Sequence, residues 1–404
     1  MPAPAKVFLH IGLHKTGTTY LQQMMRADRD ALRVHGLEYP GGPGEPVQAF
    51  AVLDLLGRRP RGVDDRRIAG QWDALVAHVN TCGQPAAIVS EERLSLATAK
   101  QARTAVGGFA DSEVHVIVTV RDLARVVVSA WQEEIKNDNT WTWRHFADAV
   151  KDPAQLAANP ARGFWLRQDV AKICRAWESA VPAARIHIIT VPPPGSPPTV
   201  LLDRFCSVIG VDPAQFGEPT RTSNQTVGVA ATEVVRRLNE RLGGRLNQRA
   251  YDKVVKNTVV PELSARAEAT PIQLPDEEIA WIAERADEMI GGLVAAGYPV
   301  MGDLDELRPR SPAAGRRPDD ATDTEMLEAA LDALAVVTED YASSWWKRTR
   351  GSVESGEAGG GAASRARRAI FKGKSAAATV VDKNPAAAKA VGAVLRARDR
   401  TRRR

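Results

Sequence analysis

The sequence predicts an α/β protein with a P-loop-type, doubly wound parallel sheet flanked by helices. Two observations carry this prediction. Short apolar runs, typical of buried parallel strands, recur at 7–11, 86–89, 114–120 and 186–191. Stretches with helical periodicity separate them, as in strand–helix–strand units. Ligands of such sheets bind at the carboxyl ends of the strands, so the polar residues after each run are the candidate site.

The first run leads into a loop, 14–20, that reads HKTGTTY and continues as a helix from Thr18 or Thr19. Gly12 and Gly17 bracket the loop. A loop at a helix start presents unpaired backbone N–H groups and the positive end of the helix dipole. This combination forms an anion site, and phosphate is its usual ligand. The candidate binding residues are Lys15, Thr16, Gly17, Thr18 and Thr19.

The loop lacks the order of a Walker A motif, G-x-x-x-x-G-K-[ST], because Lys15 precedes Gly17. The order K-T-G-T-T after an N-terminal strand instead resembles the 5′-phosphosulfate loop of sulfotransferases that use 3′-phosphoadenosine 5′-phosphosulfate (PAPS). The resemblance implies that the loop binds this cofactor and that Lys15 stabilises charge on the leaving phosphate. The alternative is a loop whose Lys and Thr side chains only cap the helix.

The remaining elements follow in order along the chain. The sequence predicts a loop at 36–46, and apolar residues at helical spacing predict helices at 47–57 and 66–81. A helix at 98–109 follows the second strand, and another begins at Leu123 after the third. Beyond these, we expect Trp-rich helices in 141–181 that cover the acceptor side of the cleft. We then expect a helix at 200–210, a polar loop that enters a helix within 222–239, and helices at 246–258 and 276–296.

A second anion site is indicated after the third strand, where Arg121 stands eight residues before Ser129. An arginine makes charge-assisted bonds to phosphate, and a hydroxyl adds a donor. Sulfotransferases bind the 3′-phosphate of the cofactor with an Arg and a Ser at this spacing. The resemblance is to the bacterial branch of that family and covers about 6–300. In the alternative, Arg121 pairs with Asp122 or with the helix, and Ser129 is an ordinary surface residue of the helix.

One motif of the eukaryotic cytosolic branch, the late K-G-x-x-G segment, is not visible in this sequence. In that branch it closes over the 3′-phosphate. The chain instead has a polar stretch after its fourth strand. The residues considered as substitutes are Arg221, Ser223 and Asn224.

Sulfuryl transfer needs a general base for the acceptor hydroxyl and cations near the bridging oxygen. Carbohydrate-type relatives use a Glu at the end of the second strand, so the resemblance implies Glu91 as the base, with Glu92 as the alternative. Both glutamates could instead begin the next helix, where they suit its dipole. His10 and His115 fall within strands and are expected in the core or on the surface. His14 lies in the loop and is a candidate cofactor contact.

The predicted function is transfer of a sulfuryl group from PAPS to a hydroxyl acceptor, a carbohydrate or glycolipid, without a divalent metal. A P-loop kinase or NTPase is a second hypothesis. It is disfavoured by the missing Walker A order, and Asp122 is its single candidate magnesium ligand. A third hypothesis is a non-catalytic nucleotide-binding scaffold whose basic tail is the functional part.

Composition predicts a cytoplasmic protein. The 404 residues are 44% hydrophobic and 25% charged, which is ordinary for a soluble chain. No signal region or apolar run of spanning length is present. The cysteines, Cys82, Cys174 and Cys206, form no C-x-x-C pair, which argues against a zinc site and a disulfide framework.

We expect a sulfotransferase domain at 1–310, a linker at 311–322, a helix at 323–350 and a disordered, basic low-complexity tail at 351–404. Residues 365–404 hold thirteen Lys and Arg against two Asp, although the net charge of the whole chain is only +5. The tail is therefore predicted to contact the inner face of an anionic membrane peripherally. The alternative is a solvated tail that binds polyanions weakly. No specific nucleic-acid partner is expected.

Overall fold

A computed structural model gives the fold of the chain, and it describes residues 2–60, 63–152, 154, 160–217, 227–266, 272–310 and 315–354. Six strands form one sheet in which every pairing is parallel, in the order β2-β3-β1-β4-β5-β6. The α/β fold class predicted from the sequence is confirmed. The strands are β1 (Lys6–His10), β2 (Leu37–Glu38), β3 (Ala86–Ser90), β4 (Glu113–Val120), β5 (Ile186–Thr190) and β6 (Val300–Met301).

The order of the strands brings the predicted site segments together. β1 lies between β3 and β4. The chain builds β2 and β3 on one side of β1, then crosses it to build β4, β5 and β6 on the other. The carboxyl ends of β3, β1 and β4 are therefore neighbours at the point where the strand order reverses, which is where open α/β sheets bind ligands.

The described helices that precede Asp323 flank this sheet. Most agree with the predicted segments to within a few residues, although the start of predicted helix 66–81 is a separate 3₁₀ turn, Asp65–Arg67. A π-helical turn, Asp252–Val259, interrupts predicted helix 246–258. The α-helices are α1 (Thr18–Ala27), α2 (Arg29–Val34), α3 (Gln48–Leu55), α4 (Gln71–Asn80), α5 (Ala99–Gly107), α6 (Leu123–Lys136), α7 (Trp143–Lys151), α8 (Pro160–Gln168), α9 (Val170–Glu178), α10 (Val200–Ile209), α11 (Val229–Leu242), α12 (Gln248–Tyr251), α13 (Val260–Arg266), α14 (Asp276–Ala296) and α15 (Asp323–Glu354).

The central strands are apolar on both faces, as expected of a covered parallel sheet. On one face, α1, α2 and α10 pack against β1, β3, β4 and β5. This cluster fixes α1, and therefore the loop before it, against the middle of the sheet. Its largest buried members include Phe8, Leu21, Met25, Ile88, Ile117 and Phe205.

Two strands escape the sequence prediction. β2 lies within 36–46, which we predicted as a loop, and that prediction is wrong at Leu37 and Glu38. β6 was not predicted either. β2 pairs with β3, and β6 pairs with β5, at opposite edges of the sheet. A strand of two residues carries no alternating pattern, so only its neighbour in the sheet reveals it.

The predicted linker and tail are described only in part. Ile272 forms an isolated bridge with Arg316, and the Gln273 N–H donates to the carbonyl of Arg316 at 2.8 Å. The predicted helix 323–350 corresponds to α15, and the rest of the tail, 355–404, lies outside the described residues. In the described part of the chain, no helix is long and apolar enough to cross a membrane.

Candidate anion-binding site

Three residues of the loop after β1 have a backbone conformation that residues other than glycine rarely adopt. Gly12, Lys15 and Gly17 all have positive φ angles, of 50°, 69° and 84°. A Cβ at Gly12 would collide with the side chain of Thr18, and one at Gly17 would lie 2.6 Å from Cδ2 of Leu201. Both glycines are therefore required for the close approach of the loop to α1 and α10.

The N-terminus of α1 faces the loop without a side-chain cap. Gly17 is the N-cap residue and has no side chain to accept from the first turn. The N–H groups of this turn have no intrahelical acceptor, and they carry the positive end of the helix dipole. The alternative in which the Thr side chains cap the helix does not fit this geometry. Thr18 is buried and Thr19 is exposed.

A buried chain of hydrogen bonds holds the loop on three strand ends. Ser90 Oγ lies 2.7 Å from His10 Nδ1, whose Nε2 lies 3.4 Å from Thr119 Oγ1. Thr119 Oγ1 lies 2.7 Å from Thr16 Oγ1, which donates to the carbonyl of Leu13 at 2.5 Å. The side chain of Thr16 thus points into the protein. Of the candidate groups of Thr16, its backbone N–H is the one left for an anion.

His10 is a core residue, as the sequence predicted, with no exposed surface. Burial lowers the pKa of His10 to about 3, so its imidazole is neutral and can both donate and accept in the chain. His115 lies near the start of β4 and contacts Glu113 and His187 at 2.7 and 2.9 Å. It is therefore at the opposite end of the sheet from the loop.

Arg121 reaches the loop from the end of β4. Its Nη1 donates to the carbonyl of Lys15 at 3.3 Å. Its Nε is buried and has no hydrogen-bond partner among the described residues. Burial, aided by Arg125 and opposed by Asp122, lowers the pKa of Arg121 to about 10, so the guanidinium stays charged at neutral pH. A charged donor with a buried unpaired N–H beside the loop is suited to bind an anion.

Asp122 does not pair with Arg121. It caps α6 by accepting from the N–H of Arg125 at 2.9 Å, and it forms an ion pair with the Arg125 side chain. The same arginine donates to the carbonyl of Pro192 at 3.3 Å. The structure therefore does not contain the alternative ion pair between Asp122 and Arg121.

Ser129 lies on α6 two turns beyond Arg121 and is half-buried. Within the described residues its hydroxyl has no hydrogen-bond partner. Glu133 lies one turn further along α6, and residues four apart share a helix face. The predicted assignment of Ser129 to a phosphate stays a prediction.

Lys15 has a partner that the sequence did not indicate. Its Nζ lies 2.8 Å from Oε2 of Glu133, and Nζ of Lys256 lies 3.5 Å from Oε1 of the same carboxylate. Burial alone would raise the pKa of Glu133, but Lys15, Lys256 and Lys136 together lower it to about 2. Glu133 could have been found from the sequence, because it lies one helical turn beyond Ser129, on the same face of α6. No sequence signal points to Lys256, which lies in the π-helical turn.

The two candidate bases at the end of β3 differ in their surroundings. Glu91 is buried, caps the 3₁₀ helix Glu92–Leu96 and accepts from Arg93 Nη1 at 2.8 Å. Burial raises its pKa; Arg93 opposes and Glu92 adds to this shift. Glu92 accepts from Nε2 of Gln22, on α1, at 3.3 Å. Glu92 is thus the carboxylate that contacts the helix after the loop, and the choice of Glu91 stays a prediction.

His14 directly precedes Lys15 in the loop and is close enough to Glu92 to be affected by its charge. Burial lowers its pKa to about 4, against the opposing effect of Glu92 and together with Arg167, Arg93 and Lys15. Its Nε2 is buried and has no partner among the described residues. Gln168, at the end of α8, donates to the carbonyl of His14 at 2.8 Å. Part of the Trp-rich segment therefore does cover the loop.

The residues suggested for closure over the second anion site, Arg221, Ser223 and Asn224, lie outside the described residues. The chain resumes at Val227, whose carbonyl accepts from Gln132 Nε2, on α6, at 2.6 Å. Val227 therefore contacts the helix that carries Ser129.

A carboxylate cluster near β2 could hold a metal ion on distance alone. In the described residues, ligand atoms of Glu38, Glu45 and His78 all lie within 4.8 Å of one another. Arg33 already donates to both carboxylates, at 2.7 Å to Glu38 and 3.0 Å to Glu45. The arginine supplies the positive charge, so the cluster acts as an ion-pair network that holds the turn after β2.

No protein-family model matches the chain, and a comparison with curated proteins finds no match. Among solved structures, the chain is similar to a sulfotransferase from Alicyclobacillus acidocaldarius. The sequence identity is 14%, the TM-score is 0.37, and the match covers 62% of this chain and 99% of that one.

Proposed function

We propose that the protein is a sulfotransferase that moves a sulfuryl group from PAPS to a hydroxyl acceptor. The observation that carries the proposal is the convergence of two anion-binding elements on one loop. The uncapped first turn of α1 directly follows this loop, and Arg121 Nη1 donates to the backbone carbonyl of Lys15 in the same loop. Two neighbouring anion subsites suit a nucleotide that carries phosphates at both its 5′ and 3′ positions.

The roles on the donor side are those that the resemblance implies. The N–H groups of the loop and of the first turn of α1 would hold the 5′-phosphosulfate. Arg121 and Ser129 would hold the 3′-phosphate. Lys15 would stabilise the negative charge that develops on the bridging oxygen as the bond from sulfur to that oxygen breaks.

The transfer step needs a base on the acceptor side. A carboxylate at the end of β3 would take the proton of the acceptor hydroxyl while its oxygen attacks sulfur and 3′-phosphoadenosine 5′-phosphate (PAP) leaves. The raised pKa of Glu91 favours its use as a base near neutral pH. The contact of Glu92 with Gln22 on α1 instead favours Glu92 as the base. A carbohydrate or glycolipid acceptor rests on the resemblance to relatives with a Glu base.

The kinase hypothesis is weaker on this geometry. Asp122 was its candidate magnesium ligand, but this carboxylate caps α6 and pairs with Arg125. With this carboxylate engaged, the anion site offers N–H groups and a guanidinium, which suits PAPS better than ATP, whose chemistry relies on Mg²⁺ held by carboxylates.

Calorimetric titration of the wild-type protein tests the proposal. We expect PAP to bind in the presence of EDTA, and more tightly than ATP with Mg²⁺. Tighter binding of ATP with Mg²⁺ would assign the protein to the kinases or NTPases. PAP release from PAPS with a panel of hydroxyl acceptors then tests transfer. Binding of PAP without transfer to any of them would favour the scaffold hypothesis.

A further inference from the structure

A group of lysines surrounds a single carboxylate beside the loop. Glu133 accepts from Lys15 at 2.8 Å through Oε2, and its Oε1 lies 3.5 Å from Nζ of Lys256. Lys136 lies one turn further along α6; burial lowers its pKa, and the charge of Glu133 opposes this shift. We call Lys15, Glu133, Lys136 and Lys256 the Glu133 cluster. It holds three positive charges and one negative charge, so it is an incompletely neutralised site.

The ion pair of Lys15 is accessible enough to exchange partners. About three tenths of each side chain in this pair is exposed. Lys15 belongs to the anion-binding loop, whereas Glu133 belongs to α6. An anion on the loop would therefore compete with Glu133 for the Lys15 ammonium.

Lys256 is held in place independently of the loop. Its turn begins directly after Tyr251, whose hydroxyl donates to Asn239 Oδ1 at 2.8 Å and lies 3.3 Å from the carbonyl oxygen of Ile135. Nζ of Lys256 also donates to Asn137 Oδ1, at the end of α6, at 2.6 Å. π-helical turns frequently occur at functional sites. These contacts keep a cation beside Glu133 whether or not Lys15 stays.

If Lys15 turned away, the half-buried Glu133 would lose this partner, and a half-buried carboxylate without a partner has a high energetic cost. Lys256 and Lys136 would remain to compensate it. They lower the free energy of the state in which Lys15 has turned away from α6. The cluster therefore has the components of a charge exchange between a protein carboxylate and a bound anion.

We propose that Glu133 is an internal counter-anion that holds Lys15 on α6 until an anionic ligand occupies the loop. Lys256 is a positioning residue, which retains Glu133 when Lys15 turns to the ligand. The inference rests on the proposed function only in that the loop binds an anion. PAP tests both together, and inorganic pyrophosphate tests the loop without assuming a sulfotransferase.

Calorimetric titration of four proteins with both probes tests this exchange: wild type, Glu133→Gln, Lys256→Met and the double variant. Glu133→Gln removes the competitor, so we expect tighter binding, by about two- to fivefold, the scale of one partly exposed ion pair. Lys256→Met leaves Glu133 more dependent on Lys15, so binding should weaken by about threefold on the same scale. In the Glu133→Gln background, Lys256→Met should change nothing.

Two further variants serve as controls. Lys253→Met removes an exposed lysine from the same π-helical turn and should leave both affinities unchanged. Lys256→Arg keeps the charge beside Glu133 and should restore wild-type binding. Thermal melts of every variant separate a loss of folded protein from a loss of affinity.

Several outcomes would overturn the inference. If Lys256→Met weakens binding equally with and without Glu133, then Lys256 touches the ligand directly. If Glu133→Gln weakens binding, then Glu133 does not compete for Lys15. Binding of pyrophosphate but not PAP, with the expected pattern among variants, would refute the proposed function and leave the exchange supported. Binding of neither probe would refute both.

Discussion

Single buried side chains hold the loop in the shape that a ligand would meet. Thr16, Thr119 and His10 form a hydrogen-bonded chain from the loop into the sheet. None of them offers its side chain to the candidate site. The residues that set the geometry of the loop are thus distinct from Lys15 and Arg121, whose charges would act on the ligand.

The buried state of His10 predicts a pH effect on stability. Its pKa is about 3 in the folded protein, whereas an unfolded chain titrates near 6.5. Between these values the unfolded chain binds a proton that the folded protein does not. The free energy of unfolding therefore falls as the pH is lowered, by about 1.4 kcal/mol per unit well below 6.5.

A His10→Asn variant lacks this loss. We expect the variant to have a lower free energy of unfolding than the wild type at pH 7. This difference should narrow as the pH falls to about 4.5, because that pH lies between the folded and unfolded pKa values of His10. Urea denaturation at several pH values measures both free energies. A difference that stays constant with pH would show that His10 has the same pKa in the folded and the unfolded protein.

Substitution by glutamine distinguishes whether Glu91 or Glu92 is the base. A base touches the acceptor and not the cofactor, so Glu91→Gln should lower turnover by about 10²–10⁴ with PAP affinity nearly unchanged. Turnover is followed by PAP release, and affinity by calorimetry. An active Glu91→Gln beside an inactive Glu92→Gln would instead assign the role to Glu92, the carboxylate that contacts α1.

At the scale of elements, the sequence predicted those that have a local signal. The strands β1, β3, β4 and β5 are apolar runs, and the polar residues that follow three of them predicted that Lys15, Glu91 and Arg121 lie at one edge of the sheet. The edge strands, β2 and β6, are too short to show a pattern. Lys256 and its π-helical turn meet Glu133 only through the tertiary fold, so neither could be predicted.

The turn from β1 into α1 predicts a sharp difference between two glycine substitutions. Gly17 has a φ of 84°, and a Cβ there would lie 2.6 Å from Leu201. Gly70, the N-cap of α4, has a φ of 77° with nothing within 4 Å. Gly17→Ala should therefore destabilise the protein by more than the roughly 1–3 kcal/mol of backbone strain expected at both positions.

PAP binding separates these variants further. Gly17→Ala should also weaken PAP binding, whereas Gly70→Ala should not. Urea denaturation gives the stabilities, and calorimetry gives the affinities. Equal losses of stability at the two positions would mean that the contact of the loop with α10 is loose.

At the scale of the whole molecule, the basic tail and the sheet edge carry separate expectations. The charge of 365–404 predicts contact with anionic membranes. Deleting 351–404 should leave PAP affinity unchanged and reduce sedimentation with anionic liposomes, more so at low salt. Equal liposome binding by the full and shortened chains would exclude the membrane role. Loss of PAP affinity would place the tail with the site.

The central claim is that the ends of β1 and β4 together bind one nucleotide through two phosphates. Titration of wild type and Arg121→Ala with PAP and with adenosine 5′-monophosphate (AMP), which lacks the 3′-phosphate, tests it most directly. Arg103→Ala, at an exposed position on α5, is the control. Arg121→Ala should weaken PAP binding by about 1.5–3 kcal/mol, the scale of a charged hydrogen bond, and leave AMP binding nearly unchanged. Equal binding of PAP and AMP by the wild type, or an equal loss of both in Arg121→Ala, would contradict the claim.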